Sequence, residues 1–228
     1  MIGVRIGVHY PGTAKFDADY QAVLDRAVEQ EYAFPTSAHL GLQNLFVREL
    51  KEKGIWDELD LLYVFAVSTV DNTNNFTRLN FKNPSRFELG LTNAPTWTAN
   101  QGWSNSGTSR LTTGFTLDTD GTNYTRDDAG GFAAFPIGEG GSQTNSRIYG
   151  NDGSSNYLSP RLQVDGSSTG NRNWINDNQY QEMDIHKGSN TIFFQNRTAS
   201  DTINFRSTDL AAGTTKAAQQ GSGVDSNA

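Results

Sequence analysis

The sequence predicts a mainly β protein, an antiparallel β-sandwich or jelly roll that carries a small two-helix region at its N-terminus. Three observations predict it. The hydrophobic period switches from helical to alternating near Gly54. Turn dipeptides then separate short apolar stretches, as at Asp120-Gly121, Asp152-Gly153, Asp165-Gly166 and Lys187-Gly188. Charge thins at the same place: residues 1–60 hold 6 basic and 10 acidic side chains, and residues 61–228 only 12 and 15.

The first helix is expected over about 17–31. Phe16, Tyr20, Val23, Leu24, Ala27 and Val28 fall on one stripe, and Asp17 or Asp19 is placed to cap it. Pro35-Thr36-Ser37 supplies a stop and a new N-cap, after which Leu42, Leu45, Phe46, Val47 and Leu50 repeat the stripe to about residue 53. Two helices with one apolar face each do not bury themselves, so they pack on the β region or on another chain. Leu59 to Val67 reads as a strand buried on both faces. Phe87–Leu91 and Leu162–Val164 alternate with period two. Ala211 to Ala228 has almost no apolar bulk and reads as a tail or linker. The expected organisation is 1–56, helical; 57–210, sandwich; 211–228, tail.

Composition removes several functions. A net charge of −7 leaves no basic surplus to neutralise phosphates, which argues against a nucleic-acid partner. The longest apolar run, Leu61 to Val67, is far short of a membrane span, and the first residues hold no continuous apolar signal segment. The absence of cysteine excludes disulfides and thiolate chemistry, and His9, His39 and His186 are scattered, so any metal needs oxygen ligands. No phosphate-binding loop, dinucleotide fingerprint or nucleophile elbow occurs.

Three constellations remain. Glu182-Met183-Asp184-Ile185-His186 puts Glu182, Asp184 and His186 on one strand face, as in retaining β-glucanases, but the second glutamate that such a pair of carboxylates requires is missing. Asp118, Asp120, Asn123 and Asp127 cluster the hard oxygens that Ca²⁺ prefers, although the glycine falls at the fourth position and not the sixth of an EF-hand loop; a solvated Asp-Gly turn explains the cluster equally. Trp97, Trp103, Tyr124, Tyr149, Tyr157 and Trp174 lie in polar, Asn-rich surroundings, and Trp103 with Asn105 and Trp174 with Asn176 set aromatic rings among amides in the way a pyranose is gripped, against the plainer reading of aromatics packed in a sandwich.

Phe34-Pro-Thr-Ser through Leu42-Gln-Asn-Leu45, Leu50-Lys-Glu-Lys-Gly-Ile-Trp56, Leu59-Asp-Leu-Leu-Tyr-Val-Phe-Ala66 and Leu79-Asn-Phe-Lys-Asn-Pro84 together resemble a block in virion and tail-associated proteins of tailed bacteriophages. In those proteins the block precedes a concanavalin A-like, laminin-G-like jelly roll, whose opening strands Gly102–Phe115 and Tyr124–Asp128 are similar to. The resemblance covers about residues 20–130 and the remainder in style only. The family continues through further strands where this chain has small residues, so the sandwich is shortened or the chain is part of a longer protein. The resemblance implies a non-enzymatic virion protein, a fibre, spike or decoration subunit, with no catalytic residues to carry over. Its partners would be copies of itself, a homotrimer by analogy with fibres, and other virion proteins, held through residues 1–56. A host-glycan-binding adhesin is the alternative, and a glycoside hydrolase a further one.

Overall fold

The computed structural model describes residues 15–68, 75–104, 108–123, 129–135, 146–149, 161–164, 171–174, 181–183, 191–199, 202–209 and 212–220. Two helices, α1 (Ala18–Glu29) and α2 (Ser37–Glu52), are followed by short antiparallel strands. Asp17 is the N-cap of α1, and its Oδ1 accepts the Asp19 N–H at 2.9 Å. Both helices end in the same way. Tyr32 N–H returns to the Ala27 carbonyl and Ile55 N–H to that of Leu50, each at 2.8 Å, with a left-handed residue between: Glu31 (φ 57°) after α1 and Gly54 (φ 70°) after α2.

Tyr20, Val23, Leu24 and Ala27 of α1 meet Leu40, Val47 and Leu50 of α2 in a core that Trp56, Leu62, Phe76, Leu79 and Phe81 complete. The packing is therefore continuous across residue 57. The buried face of α2 differs from the stripe expected of it. Gln43 and Asn44 are buried beside Leu40, Val47 and Leu50, whereas Leu42, Leu45 and Phe46 are 63%, 49% and 37% exposed. The cause is that the oxygens of both amides are received in the core: the Tyr20 hydroxyl donates to Gln43 Oε1 at 2.7 Å and the Asp17 N–H to Asn44 Oδ1 at 2.7 Å, although Gln43 Nε2 is buried without a partner among the described residues. Val28, counted on the first stripe, is likewise 45% exposed.

Residues 59–67 form no strand, which corrects the expectation of a doubly buried one. The segment is held by neighbours outside any ladder: Leu62 N–H donates to Asn80 Oδ1 at 3.0 Å, Phe81 N–H to the Leu62 carbonyl at 2.8 Å, and Asn100 N–H to the Val67 carbonyl at 2.7 Å.

β1 (Gly90–Thr92) pairs with β4 (Arg110–Thr112) and brackets the hairpin of β2 (Thr96–Thr98) and β3 (Gly102–Ser104). A single helical turn, α3 (Leu117–Asp120), follows; Asp120 thus ends a helical turn where a hairpin turn was expected. β5 (Ala129–Phe135) pairs with β10 (Thr191–Ala199), which continues into β11 (Thr202–Asp209) and β12 (Thr214–Gln220). The other four-stranded sheet is the meander β6 (Ser146–Tyr149), β7 (Arg161–Val164), β8 (Asn171–Trp174) and β9 (Gln181–Met183). Among the described residues every pairing is antiparallel and each sheet is open. The turns expected at Asp152-Gly153, Asp165-Gly166 and Lys187-Gly188 lie outside the described residues.

β12 corrects the expectation of a tail. Its small residues follow β11 in register from Asp209↔Thr214 to Ile203↔Gln220, and Thr208 and Thr215 Oγ1 lie 3.1 Å apart across the ladder. An edge strand needs its backbone bonds more than apolar bulk. Among the described residues, no helix is long and apolar enough to cross a membrane.

Candidate functional site

The β2–β3 hairpin holds the first group of expected site residues. Trp97 and Trp103 are directly opposite each other in the ladder, so both rings stand on one face of the hairpin. The turn between them uses Asn100 at φ 61° and Gly102 at φ 99°. A Cβ on Gly102 would lie 3.0 Å from that of Phe65, so glycine is required both for its dihedral and for the close approach.

Both indole N–H groups are committed to the protein. Trp97 Nε1 donates to the Phe65 carbonyl at 3.1 Å, and Trp103 Nε1 to Thr77 Oγ1 at 3.1 Å. Each ring is half-buried. The hairpin is thereby anchored on Phe65 and Thr77. Of the other residues expected to bind glycan, Trp174 lies in β8 opposite Arg161, and its side chain, like Asn105 and Asn176, lies outside the described residues. Trp97, one of the aromatics that the sequence sets among polar residues, is the ring that the hairpin places directly opposite Trp103.

The second group centres on an aspartate that sequence reasoning missed. Asp60 Oδ1 accepts the Thr122 N–H at 3.0 Å, the Thr122 hydroxyl at 2.8 Å and the Asn123 N–H at 3.2 Å. The Asn123 amide donates to the Asp57 carbonyl at 2.6 Å. Asp120 is occupied at both oxygens: Oδ1 pairs with Arg86 Nη2 at 2.8 Å, and Oδ2 accepts the Thr116 N–H at 2.9 Å. These carboxylates act as staples that fasten the 116–123 loop to residues 57–60 and to Arg86. The side chain of Asp118 and the whole of Asp127 lie outside the described residues. Among the described residues, no group of three His, Cys, Asp or Glu side chains is placed to hold a metal ion.

A third cluster joins the end of α1 to residues 75–89. The Tyr32 hydroxyl donates to Glu88 Oε1 at 2.8 Å, and Arg78 Nη2 lies 3.1 Å from the same oxygen. Arg78 also donates from Nε to the Leu89 carbonyl at 2.6 Å and from Nη1 to Asn75 Oδ1 at 2.9 Å. Burial, then the neighbouring Glu88 carboxylate, pushes the Tyr32 hydroxyl above its ordinary range; burial alone does so for Tyr63, whose hydroxyl donates to the Phe87 carbonyl at 2.6 Å. Of the glycosidase-like triplet, Glu182 lies in β9 opposite Arg172, while Asp184 and His186 lie outside the described residues. No family model, curated protein or solved structure matches the chain, so the site rests on this geometry.

Proposed function

We propose that the chain is a structural protein of a bacteriophage virion, a fibre, spike or decoration subunit without enzymatic activity. In this reading the two four-stranded sheets are the layers of a concanavalin A-like jelly roll displayed outward. Residues 1–56 supply self-association and attachment to other virion proteins.

One observation carries the reading: the residues that resemble the phage block are used for architecture. Leu40, Val47, Leu50, Trp56, Leu62, Leu79 and Phe81 build the core. Asn44 accepts the N–H of the α1 cap, Asn80 Oδ1 accepts the N–H groups of Leu62 and Lys82, and Lys82 Nζ donates to the Trp56 carbonyl. Asn44, Asn80 and Lys82, three polar members of the block, thus bond to backbone groups, which is a scaffolding use.

Mass spectrometry of purified particles tests it. Recovery of the chain at a fixed ratio to the major capsid protein supports the reading; its absence from particles overturns it.

A host-glycan-binding role is the second reading. Trp97 and Trp103, opposed on one hairpin face with their N–H groups already satisfied, favour it. Glycan-array binding lost in Trp97→Ala and Trp103→Ala supports this role, and an array with no binding removes it.

A further inference from the structure

The four-stranded sheet of β12, β11, β10 and β5 leaves one face open. Register puts Phe194 of β10 directly opposite Arg206 of β11, and Asn196 opposite Asn204, so these four share that face. Phe194 is 46% exposed although β10 is an interior strand, and every side chain described on this face, from Ile192 on β10 to Ala217 on β12, is exposed or half-exposed. Gly130 of β5 lies opposite Asn196 and adds no side chain on that flank.

The charge on this face has one sign. Among its paired positions Arg206 is the one charged residue and none is acidic, in a chain whose net charge is −7. Asp209 takes the other register with Ile203 and Phe205, which is the opposite face, and Asp201 lies outside the described residues. Among the described residues neither the Arg206 guanidinium nor the Asn196 amide has a hydrogen-bond or ion-pair partner. The row through Phe194 and Arg206 is flanked by amides at 196 and 204 and, on its other side, by the hydroxyls of Thr208 and Thr215.

We propose that this face binds an acidic polysaccharide, a uronate chain whose carboxylate is taken by Arg206 while the Phe194 ring stacks on the apolar side of a pyranose and Asn196, with Asn204 opposite, bonds its hydroxyls. A planar guanidinium offers a carboxylate two parallel N–H donors. An amide both donates and accepts, as neighbouring sugar hydroxyls do, and an aromatic ring among such groups suits a ligand with one apolar face. The two asparagines stand two residues along the strands from Phe194 and Arg206, about 7 Å, so the four reach one stretch of a saccharide laid across the sheet. A protein partner calls for an apolar centre from which charge is depleted, whereas here the guanidinium adjoins the ring. The proposal goes beyond the glycan reading of the Trp97–Trp103 hairpin, since both the site and the charge of the ligand differ.

Isothermal titration of the full chain with polygalacturonate and with alginate tests it, with methyl-esterified polygalacturonate, neutral dextran and poly-L-glutamate as references. The wild type is expected to bind a polyuronate at least about tenfold more tightly than any of the three references. Arg206→Gln is expected to lose at least roughly tenfold toward the polyuronate and nothing toward its ester, with Arg206→Lys between, because it keeps the charge without the fork. Phe194→Ala weakens both ligands. Asn196→Asp, which leaves the ring and the guanidinium in place, weakens the polyuronate alone by setting a like charge beside its carboxylate. Circular dichroism of each variant is expected to match the wild type. Absence of binding to either polyuronate overturns the proposal. So does equal affinity for poly-L-glutamate, which would make this an acidic-peptide site. Polyuronate binding that is indifferent to Arg206→Gln and Phe194→Ala but lost in Trp97→Ala overturns it too, and leaves the hairpin as the glycan site.

Discussion

Lys51, in the last turn of α2, reaches the N-cap of α1: its Nζ lies 2.6 Å from Asp17 Oδ1, the same oxygen that accepts the Asp19 N–H. One carboxylate oxygen thus closes a helix end and ties two helices together. Burial would raise the Asp17 pKa, but the Lys51 hydrogen bond, the Asp19 N–H and the Lys51 charge together hold it below its ordinary value. Burial would lower that of Lys51, yet its bonds to Asp17 and Asp19 hold it above.

The sign of the pH dependence follows. Asp17 contributes stability that is full above its unfolded value of 3.8 and is lost as pH falls through the lower folded value. Lys51 contributes below 10.5 and loses its part as pH rises through the higher folded value. Asp17→Ala is expected to cost about 1–2 kcal/mol at neutral pH, and Asp17→Asn less because an amide still caps. Urea titrations should show the gap between Asp17→Ala and wild type shrinking once acid protonates the carboxylate.

The two left-handed residues after the helices make a matched pair of predictions. Glu31 holds φ 57° against its side chain, so Glu31→Gly should raise stability by about 0.5 kcal/mol. Gly54→Ala at φ 70° should lower it by about 1 kcal/mol. Thermal unfolding of the two variants should shift in opposite directions.

Neighbouring leucines on α2 should part sharply. Leu40 is 1% exposed, and Leu40→Ala should cost about 2–5 kcal/mol. Leu42 is 63% exposed, and Leu42→Ala should stay within about 0.5 kcal/mol. Denaturant midpoints of the two variants check both.

Asn80 is fully buried and its Oδ1 accepts two backbone N–H groups, from Leu62 at 3.0 Å and Lys82 at 3.2 Å. Asn80→Ala leaves both without that acceptor and should cost at least about 2 kcal/mol. Faster hydrogen exchange at the Leu62 amide, without change at the α1 amides, would place the loss in this segment.

The two long helices, their approximate spans and an aspartate cap at 17 or 19 were legible because they depend on local signals, namely period, cap chemistry and Gly54. What depends on distant partners was not. The α2 face was misplaced because Gln43 and Asn44 count as surface residues until Tyr20 and the Asp17 N–H are known to receive them. Residues 59–67 resemble a strand in composition, but their bonds run to Asn80, Phe81 and Asn100. Glu31 ends α1 in a conformation that the sequence associates with glycine, and β12 is held by β11 despite its tail-like composition. At the site, Trp103 was visible as an aromatic among amides, whereas Asp60, which staples a loop more than 60 residues away, carried no local signature.

The pairing of β5 with β10 also sets the order of events during synthesis. Phe135 is partnered by Thr191, so β5 leaves the ribosome long before its ladder exists. At roughly 5–20 residues per second, the strand waits for several seconds. It bears that wait as Ala-Gly-Gly-Phe-Ala-Ala-Phe, a stretch low in β-branched residues and rich in glycine and alanine, which is a poor template for pairing with a neighbouring nascent chain. The hairpins β10–β11 and β11–β12 need only adjacent chain, so they close first and offer β5 a finished edge. The last four-stranded sheet therefore assembles from its C-terminal side, and removing β12 would be felt in the yield of folded chain before it is felt in the stability of what has folded.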